Sequence, residues 1–262
     1  MPLWPNAAPN TNCQEPRDVP TLDIYPPLGS AFQNAAVLIF PGGAYAFRAP
    51  HEGEGYAGFF QLQGFNTFVL NYRLGADGYR HDAIFADAQR AMRMVRNSAS
   101  TKKFSPRKII VIGSSAGGHL AATLLTRWDE GNSEATDPVE RESCRPNLGV
   151  LCYPVISMGE FAHEGSRIFF LGENPPQELI EQFSNECHVN SQTPPCFVWH
   201  TCADDAVPVE NTMRFTQALR KAGVPFECHI YQDGGHGLGM LDGQPWTQDC
   251  IRWISRRFTQ EL

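Results

Sequence analysis

A continuous apolar run, KIIVIG (108–113), leads straight into SSAGG (114–118), and a helical pattern begins at once. This is G-x-S-x-G between a strand and a helix, centred on Ser115. Such a turn is too tight for side chains beside the central serine, which is why glycine flanks it. The serine hydroxyl is then held exposed at a sheet edge. The helix N-terminus that follows directs partial positive charge at any oxyanion formed there, with the Ala116 N–H placed to donate. The same letters also spell a helix cap after a glycine turn, but the strand before and the helix after favour a nucleophile. His119 falls inside that helix and is expected to pack or hydrogen-bond rather than react.

A second turn, Pro41-Gly42-Gly43-Ala44-Tyr45, also follows an apolar run. A glycine pair at a strand end lets backbone N–H groups turn toward a reacting carbonyl. Gly43 is the first candidate donor and Ala44 the second, against the plainer reading of a Pro-Gly turn.

A serine hydroxyl needs a base to take its proton, and the base needs an acid to orient it. With this turn type the chain order is Ser, then Asp or Glu, then His. CFVWH (196–200) runs into TCADDAVP (201–208), which puts Asp204 and Asp205 just past a strand end, where ligands meet a parallel sheet. Either also reads as a loop carboxylate or a helix cap. His229 lies inside FECHIY (226–231) and reads as a strand residue. His236 lies in the glycine-rich DGGHGLG (233–239), a loop able to carry an imidazole over Ser115. His236 is the candidate base, and His200 is expected to support the acid loop.

PGGAY, GSSAGGHLA, HTCADDAVP and GGHGLG, in this order, resemble the α/β-hydrolase esterases. The closest resemblance is to the acetyl xylan esterase-like, carbohydrate-ester branch, related to the hormone-sensitive-lipase-like and feruloyl-esterase-like enzymes. PHEGEG (50–55) and YPVISM (153–158) resemble this branch in particular, and the likeness runs from about residue 20 to 258. The family pattern H-x-x-x-D-x-x-V-P falls on His200, Asp204, Val207 and Pro208, and so selects Asp204 over Asp205. The resemblance carries the nucleophile onto Ser115 and the base onto His236. It departs from the lipase-like branch at Pro41, where that branch has histidine, and at Ala44, where it has a third glycine. It implies a serine esterase with Gly43, Ala44 and Ala116 as oxyanion donors, acting on acetyl groups of xylan or xylo-oligosaccharides. It requires no metal and no organic cofactor. A serine peptidase or amidase and a non-catalytic binder are the competing readings. The first is disfavoured because the chain shows no large N-terminal propeller-type domain, the second because all three members of the triad are present.

These residues must be positioned by a sheet. Apolar runs at 21–25, 35–40, 65–72, 108–113, 148–155, 196–200 and 226–231 read as strands, the first an alternating edge strand. Helical patterns lie over 81–97, 119–128, 209–222 and 246–258, the first carrying an apolar stripe at Ile84, Ala88, Ala91 and Val95. Alternating strands and helices predict an α/β fold, a mostly parallel central sheet with helices on both faces. Residues 129–147 are polar and acidic and read as a surface excursion. Residues 156–195, with a weak helix near 177–184, read as a small cap excursion over the cleft, within one domain spanning 1–262. Tyr45, Phe47, Tyr72 and Trp199 are candidate substrate contacts, although aromatics at strand ends are as readily core.

The chain has 262 residues, 42% apolar and 19% charged, enough for a sizeable core and too apolar for disorder. Its net charge of −7 argues against nucleic acid as a partner. No apolar run is long enough for a membrane helix. The partner expected is therefore a small-molecule or oligosaccharide ester, with the oligomeric state open. The proline-rich residues 1–20 read as an extended arm, with neither a basic start nor an apolar stretch, so cytoplasmic residence is the expectation. Secretion is the alternative if the chain starts after a removed signal. The eight cysteines show no C-x-x-C and no zinc-ligand spacing, and read as reduced, mostly buried thiols.

Overall fold

A computed structural model describes residues 1–11, 15–240 and 245–260. Seven strands form one sheet: β1 (Thr21–Tyr25), β2 (Ala36–Phe40), β3 (Asn66–Asn71), β4 (Ile109–Ser114), β5 (Leu148–Cys152), β6 (Cys196–Thr201) and β7 (Phe226–Tyr231). The spatial order is β1-β3-β2-β4-β5-β6-β7. Only β1 runs antiparallel, paired with β3 at the edge, and every other neighbour is parallel. β2, β4 and β5 are buried along their whole length. Two-sided burial is why these segments read as unbroken apolar runs rather than alternations.

Helices cover both faces. On one face lie α2 (His81–Asn97), α4 (Ser115–Thr126) and α7 (Glu210–Ala222), with Ile84, Ala88, Ala91, Leu120, Leu124, Phe215 and Leu219 in the core beneath them. On the other lie α1 (Pro50–Gln63) and α8 (Trp246–Gln260), which bury Tyr56, Phe60, Trp246, Trp253 and Ile254. Each large side chain buried in this way contributes about 1.5–3 kcal/mol. A four-residue helix, α3 (Ala99–Lys102), extends α2.

Two differences from the sequence expectation bear on the site. α4 starts at Ser115, not His119, so the helix begins at the turn itself. α1 was not expected, because three glycines break up its pattern. Its stripe is nevertheless present at Gly53, Tyr56, Ala57 and Phe60, all buried, with Pro50 in its first turn and Gly64 ending it at φ +100°. Gly53 belongs to the stripe because β3 and Pro41 pass close beneath it. A Cβ there would lie 3.2 Å from Pro41 Cγ and 3.4 Å from Val69 Cγ1.

The polar segment 129–147 docks on α2 through Arg90, whose guanidinium lies 2.7 Å from both Asp137 and Glu140. Segment 156–195 carries α5 (Glu164–Leu171) and α6 (Gln177–Phe183). Phe170 of α5 stacks on Tyr45 at 4.6 Å and meets Phe183 edge-on at 5.1 Å, which fixes the segment beside the 41–45 turn. The N-terminal arm is tied down along its described part. Leu3 N–H donates to Pro20 O, Leu22 N–H to Met1 O, and Arg73 Nη1 to Pro9 O. Residues 12–14, including Cys13, lie outside the described part of the arm.

Because β2, β4, β6 and β7 are parallel, their C-terminal ends share one edge of the sheet. Phe40 pairs with Gly113, and Thr201 with Tyr231. The loops after these four strands hold the 41–45 turn, Ser115, Asp204 and His236. No helix among the described residues is long and apolar enough to cross a membrane.

Candidate active site

The turn after β4 is as constrained as its glycines imply. Ser115 sits at φ +53°, a conformation costly for a residue with a Cβ. A Cβ on Gly113 would lie 2.1 Å from Gly117 O, and one on Gly117 would lie 2.1 Å from Phe40 O. The chain therefore passes closer to itself than any side chain allows. The Ser115 carbonyl is anchored by Val155 N–H at 3.0 Å. The two serines diverge: Ser114 Oγ donates to Tyr56 Oη at 2.9 Å, whereas Ser115 Oγ lies 2.7 Å from His236 Nε2.

His236 Nδ1 lies 2.7 Å from Asp204 Oδ2. The Asp204 side chain is fully buried. Its Oδ1 accepts from Ala206 N–H at 3.0 Å and Val207 N–H at 2.9 Å. His200 Nε2 stands 3.2 Å from Oδ2 and 3.0 Å from Val207 O, while Thr212 Oγ1 meets its Nδ1 at 2.8 Å. With a carbonyl at Nε2, that nitrogen carries the proton and donates toward the carboxylate. Burial opposes ionisation of Asp204, but the hydrogen bonds from His200, His236 and the Val207 amide outweigh it. They hold the carboxyl well below the usual carboxylate range. Asp205 points into solvent. His229 remains on β7, 3.1 Å from Glu227, and His119 is buried in α4 between Tyr45 Oη and Phe183 O. The structure thus joins Ser115, His236 and Asp204 in one hydrogen-bonded chain, sets His200 behind the carboxylate as a further donor, and leaves His119 and His229 out of it.

The 41–45 turn lies against this chain. Gly43, Ala44 and Tyr45 have φ of +122°, +56° and +62°. A Cβ on Gly42 would sit 2.8 Å from Ser114 O and 3.0 Å from Ser115 Cβ, so the turn's backbone runs directly over the serine. Gly42 N–H is taken by Glu52 Oε2 at 2.8 Å. The amide of Ala116, in the first turn of α4, has no intrahelical acceptor.

A hollow of about 210 Å³ opens above Ser115 and His236, lined by Gly43, Ala44, Phe47, Ala49, His51 and His163 among others. Phe47 reaches it and is 58% exposed. The other three aromatic candidates do not, which corrects the expectation from the sequence. Tyr45, Tyr72 and Trp199 are fully buried. Tyr45 Oη bonds His119 Nδ1 at 2.7 Å, Tyr72 Oη donates to Pro41 O at 2.6 Å, and Trp199 stacks on Trp246 at 5.2 Å. They buttress the turns from below. No group of three or more His, Cys, Asp or Glu side chains among the described residues is arranged to hold a metal ion.

Residues 22–219 match the BD-FAE family. The chain belongs to that family. Its fold is that of the α/β-hydrolases. The crystal structure of an acetyl ester-xyloside bifunctional hydrolase from Caldicellulosiruptor lactoaceticus superposes with a TM-score of 0.93 at 46% identity, over 98% of this chain and 95% of that one. MGS-M1, an α/β-hydrolase from a deep-sea metagenome, follows with a TM-score of 0.68 at 30% identity, over 91% and 92% of the two chains. Endo-1,4-beta-xylanase B of Butyrivibrio fibrisolvens is 38% identical over 79% of this chain. The acetylxylan esterase of Xylanibacter ruminicola is 36% identical over 78%. This BD-FAE chain spans 33% and 41% of the lengths of those two curated relatives.

Three residues that sequence reasoning passed over stand at the site of this BD-FAE chain. His163 caps α5, its Nδ1 taking the Ser166 N–H at 3.2 Å and facing Ser166 Oγ at 2.9 Å. That leaves the proton on Nε2 of a ring that lines the hollow. Burial lowers its pKa, aided by the nearby His236, which keeps the ring neutral. His51 and Glu52 occupy the first turn of α1. The signal for them was PHEGEG itself, a titratable pair just inside a proline-started helix, hidden because the helix was not recognised.

Proposed function

We propose that this chain hydrolyses short-chain carboxylic esters through an acyl-serine intermediate, with acetyl groups on xylan or xylo-oligosaccharides as its substrates. The observation that carries the reading is the unbroken pair of 2.7 Å contacts, Ser115 to His236 and His236 to Asp204, over an open hollow. His236 Nε2 accepts the Ser115 proton as Oγ attacks the ester carbonyl. Asp204 holds the proton on Nδ1 and stabilises the imidazolium. Ala116 N–H and the amides of Gly43 and Ala44 hold the tetrahedral oxyanion. The imidazolium returns its proton to the departing alcohol, leaving acetyl on Ser115. Water then gives a proton to His236, attacks the acyl carbon, and acetate leaves as the proton returns to Oγ.

The substrate class is supported by the names of the relatives, which join acetyl esters and xylan, and by the small hollow. His163 Nε2–H adds a neutral donor suited to a sugar hydroxyl. The test is a panel of acetyl, butyryl, octanoyl and feruloyl esters with acetylated xylo-oligosaccharides, run on the wild type and Ser115→Ala. Acetyl esters turn over fastest and Ser115→Ala falls to background with its melting curve unchanged. A sharp preference for octanoyl esters, or an active Ser115→Ala, overturns the proposal.

A further inference from the structure

The first turn of α1 lies between the two loops that the proposed reaction depends on. Glu52 is only 2% exposed. Its Oε2 accepts from Gly42 N–H at 2.8 Å and its Oε1 from Tyr153 Oη at 2.7 Å. The same tyrosine oxygen accepts from Gly239 N–H at 2.8 Å, three residues past His236, and the tyrosine ring stands edge-on to the His236 ring at 5.2 Å. One residue back, His51 Nε2 donates to Gly237 O at 2.8 Å. One helical turn thus holds the 41–45 turn at the Gly42 peptide and reaches the histidine loop directly at Gly237 and through Tyr153 at Gly239.

The grip has a physical reason. Gly42 precedes three successive residues at positive φ, two of which carry a Cβ. Backbone in that region persists only when its surroundings impose it. A buried carboxylate is itself costly unless its oxygens are engaged. Here each oxygen accepts a charge-assisted hydrogen bond, roughly twice as strong as a neutral one. A negative charge so near Ser115 opposes an oxyanion through space, so anything Glu52 gives the reaction must come through geometry.

We infer that Glu52 is a positioning residue for ester hydrolysis. Through Gly42 it sets the direction of the Gly43 and Ala44 N–H groups, and through Tyr153 it ties that setting to the loop bearing His236. The inference rests on the reading given under Proposed function.

The test compares wild type, Glu52→Gln, Glu52→Ala and Tyr153→Phe with 4-nitrophenyl acetate. It reads kcat, KM, melting temperature and the inhibition constant of a trifluoromethyl ketone, whose serine adduct places an oxyanion in the hole. Glu52→Ala lowers kcat by roughly 100-fold, the low end for losing an oxyanion donor outright. KM stays within about threefold, and the affinity for the ketone falls in step with kcat/KM. Glu52→Gln keeps an acceptor for Gly42 and turns an N–H toward the tyrosine oxygen, so it recovers at least about tenfold of the loss. Tyr153→Phe loses about tenfold in kcat. A folded Glu52→Ala with kcat within about threefold of wild type, or a loss carried by KM with ketone affinity unchanged, overturns the inference. If Glu52→Ala does not fold, Glu52→Gln and Tyr153→Phe decide: parallel losses in kcat and ketone affinity support it, and wild-type values for both overturn it. Ser115→Ala on the same ester separates the two levels. An inactive Ser115→Ala leaves the functional reading standing whatever the Glu52 series shows, whereas an active one removes that reading and this inference with it.

Discussion

Replacing Asp204 by Asn keeps the shape of the side chain and inverts half of its hydrogen bonding. The carboxylate accepts from two backbone amides at Oδ1 and from His236 and His200 at Oδ2. An asparagine can turn its oxygen toward the Ala206 and Val207 amides, leaving Nδ2 to face His236 Nδ1 and His200 Nε2–H. It can instead turn the oxygen toward the histidines, which sets Nδ2 against two amide donors. The first orientation has one donor–donor conflict and the second has two. Each conflict costs about 1–3 kcal/mol, so the first prevails. His236 must then accept at Nδ1 and carry its proton on Nε2, the nitrogen that has to receive the proton of Ser115. The expected loss in kcat is about 10⁴-fold, the effect of a wrong tautomer in an otherwise intact site. Asp205→Asn, at an exposed position, leaves the rate near wild type. The assay is steady-state hydrolysis of 4-nitrophenyl acetate at pH 7.5, with circular dichroism to confirm folding. A folded Asp204→Asn within about tenfold of wild type, or an Asp205→Asn that falls as far, refutes the reasoning.

Two further outcomes follow from the packing. Burial pushes the His119 pKa down from 6.5 to about 4, against the hydrogen bond to Phe183 O, which raises it. The folded state therefore binds the neutral ring. The stability this gives is complete above pH 6.5, the unfolded value, and is lost as pH falls from there to about 4, the range in which the unfolded histidine takes up its proton and the folded one stays mostly neutral. The gap of about 2.5 units corresponds to about 3 kcal/mol, so urea titrations between pH 7 and pH 4 show the wild type losing about that much more than His119→Gln. Equal losses in the two proteins contradict the assignment. Gly117→Ala puts a methyl group 2.1 Å from Phe40 O and 2.5 Å from Pro41 O, both backbone atoms that cannot step aside. It is expected to cost about 3 kcal/mol or more, or to abolish soluble expression, whereas a melting temperature near wild type shows that the turn is looser than its geometry implies.

The candidate nucleophile was legible because the turn after β4 writes its constraint in glycine. Gly113 and Gly117 have no room for a Cβ, so strand, turn and serine are announced by five consecutive letters. His236 was selected over His229 by the same local logic, since a mid-strand residue is committed to its strand. Between Asp204 and Asp205 the residues alone did not decide. The structure places them differently, folding the first back onto two amides and two histidines and leaving the second exposed.

What the sequence determined by itself was the alternation of buried strands and amphipathic helices, and the turn chemistry at three strand ends. Both are set within a few residues by sterics and periodicity. What only the tertiary structure decided was which side chains face the hollow. Tyr45, Tyr72 and Trp199 went into the core and His163 came to the rim, because the direction of a side chain past a strand end depends on what packs against it from distant parts of the chain. Glu52 is the clearest instance. The role inferred for it depends on a place where a glycine-rich helix, the 41–45 turn and the loop of His236 meet, and hydrogen bonds from Gly42 and Tyr153, 10 and 101 residues away, converge on one buried carboxylate.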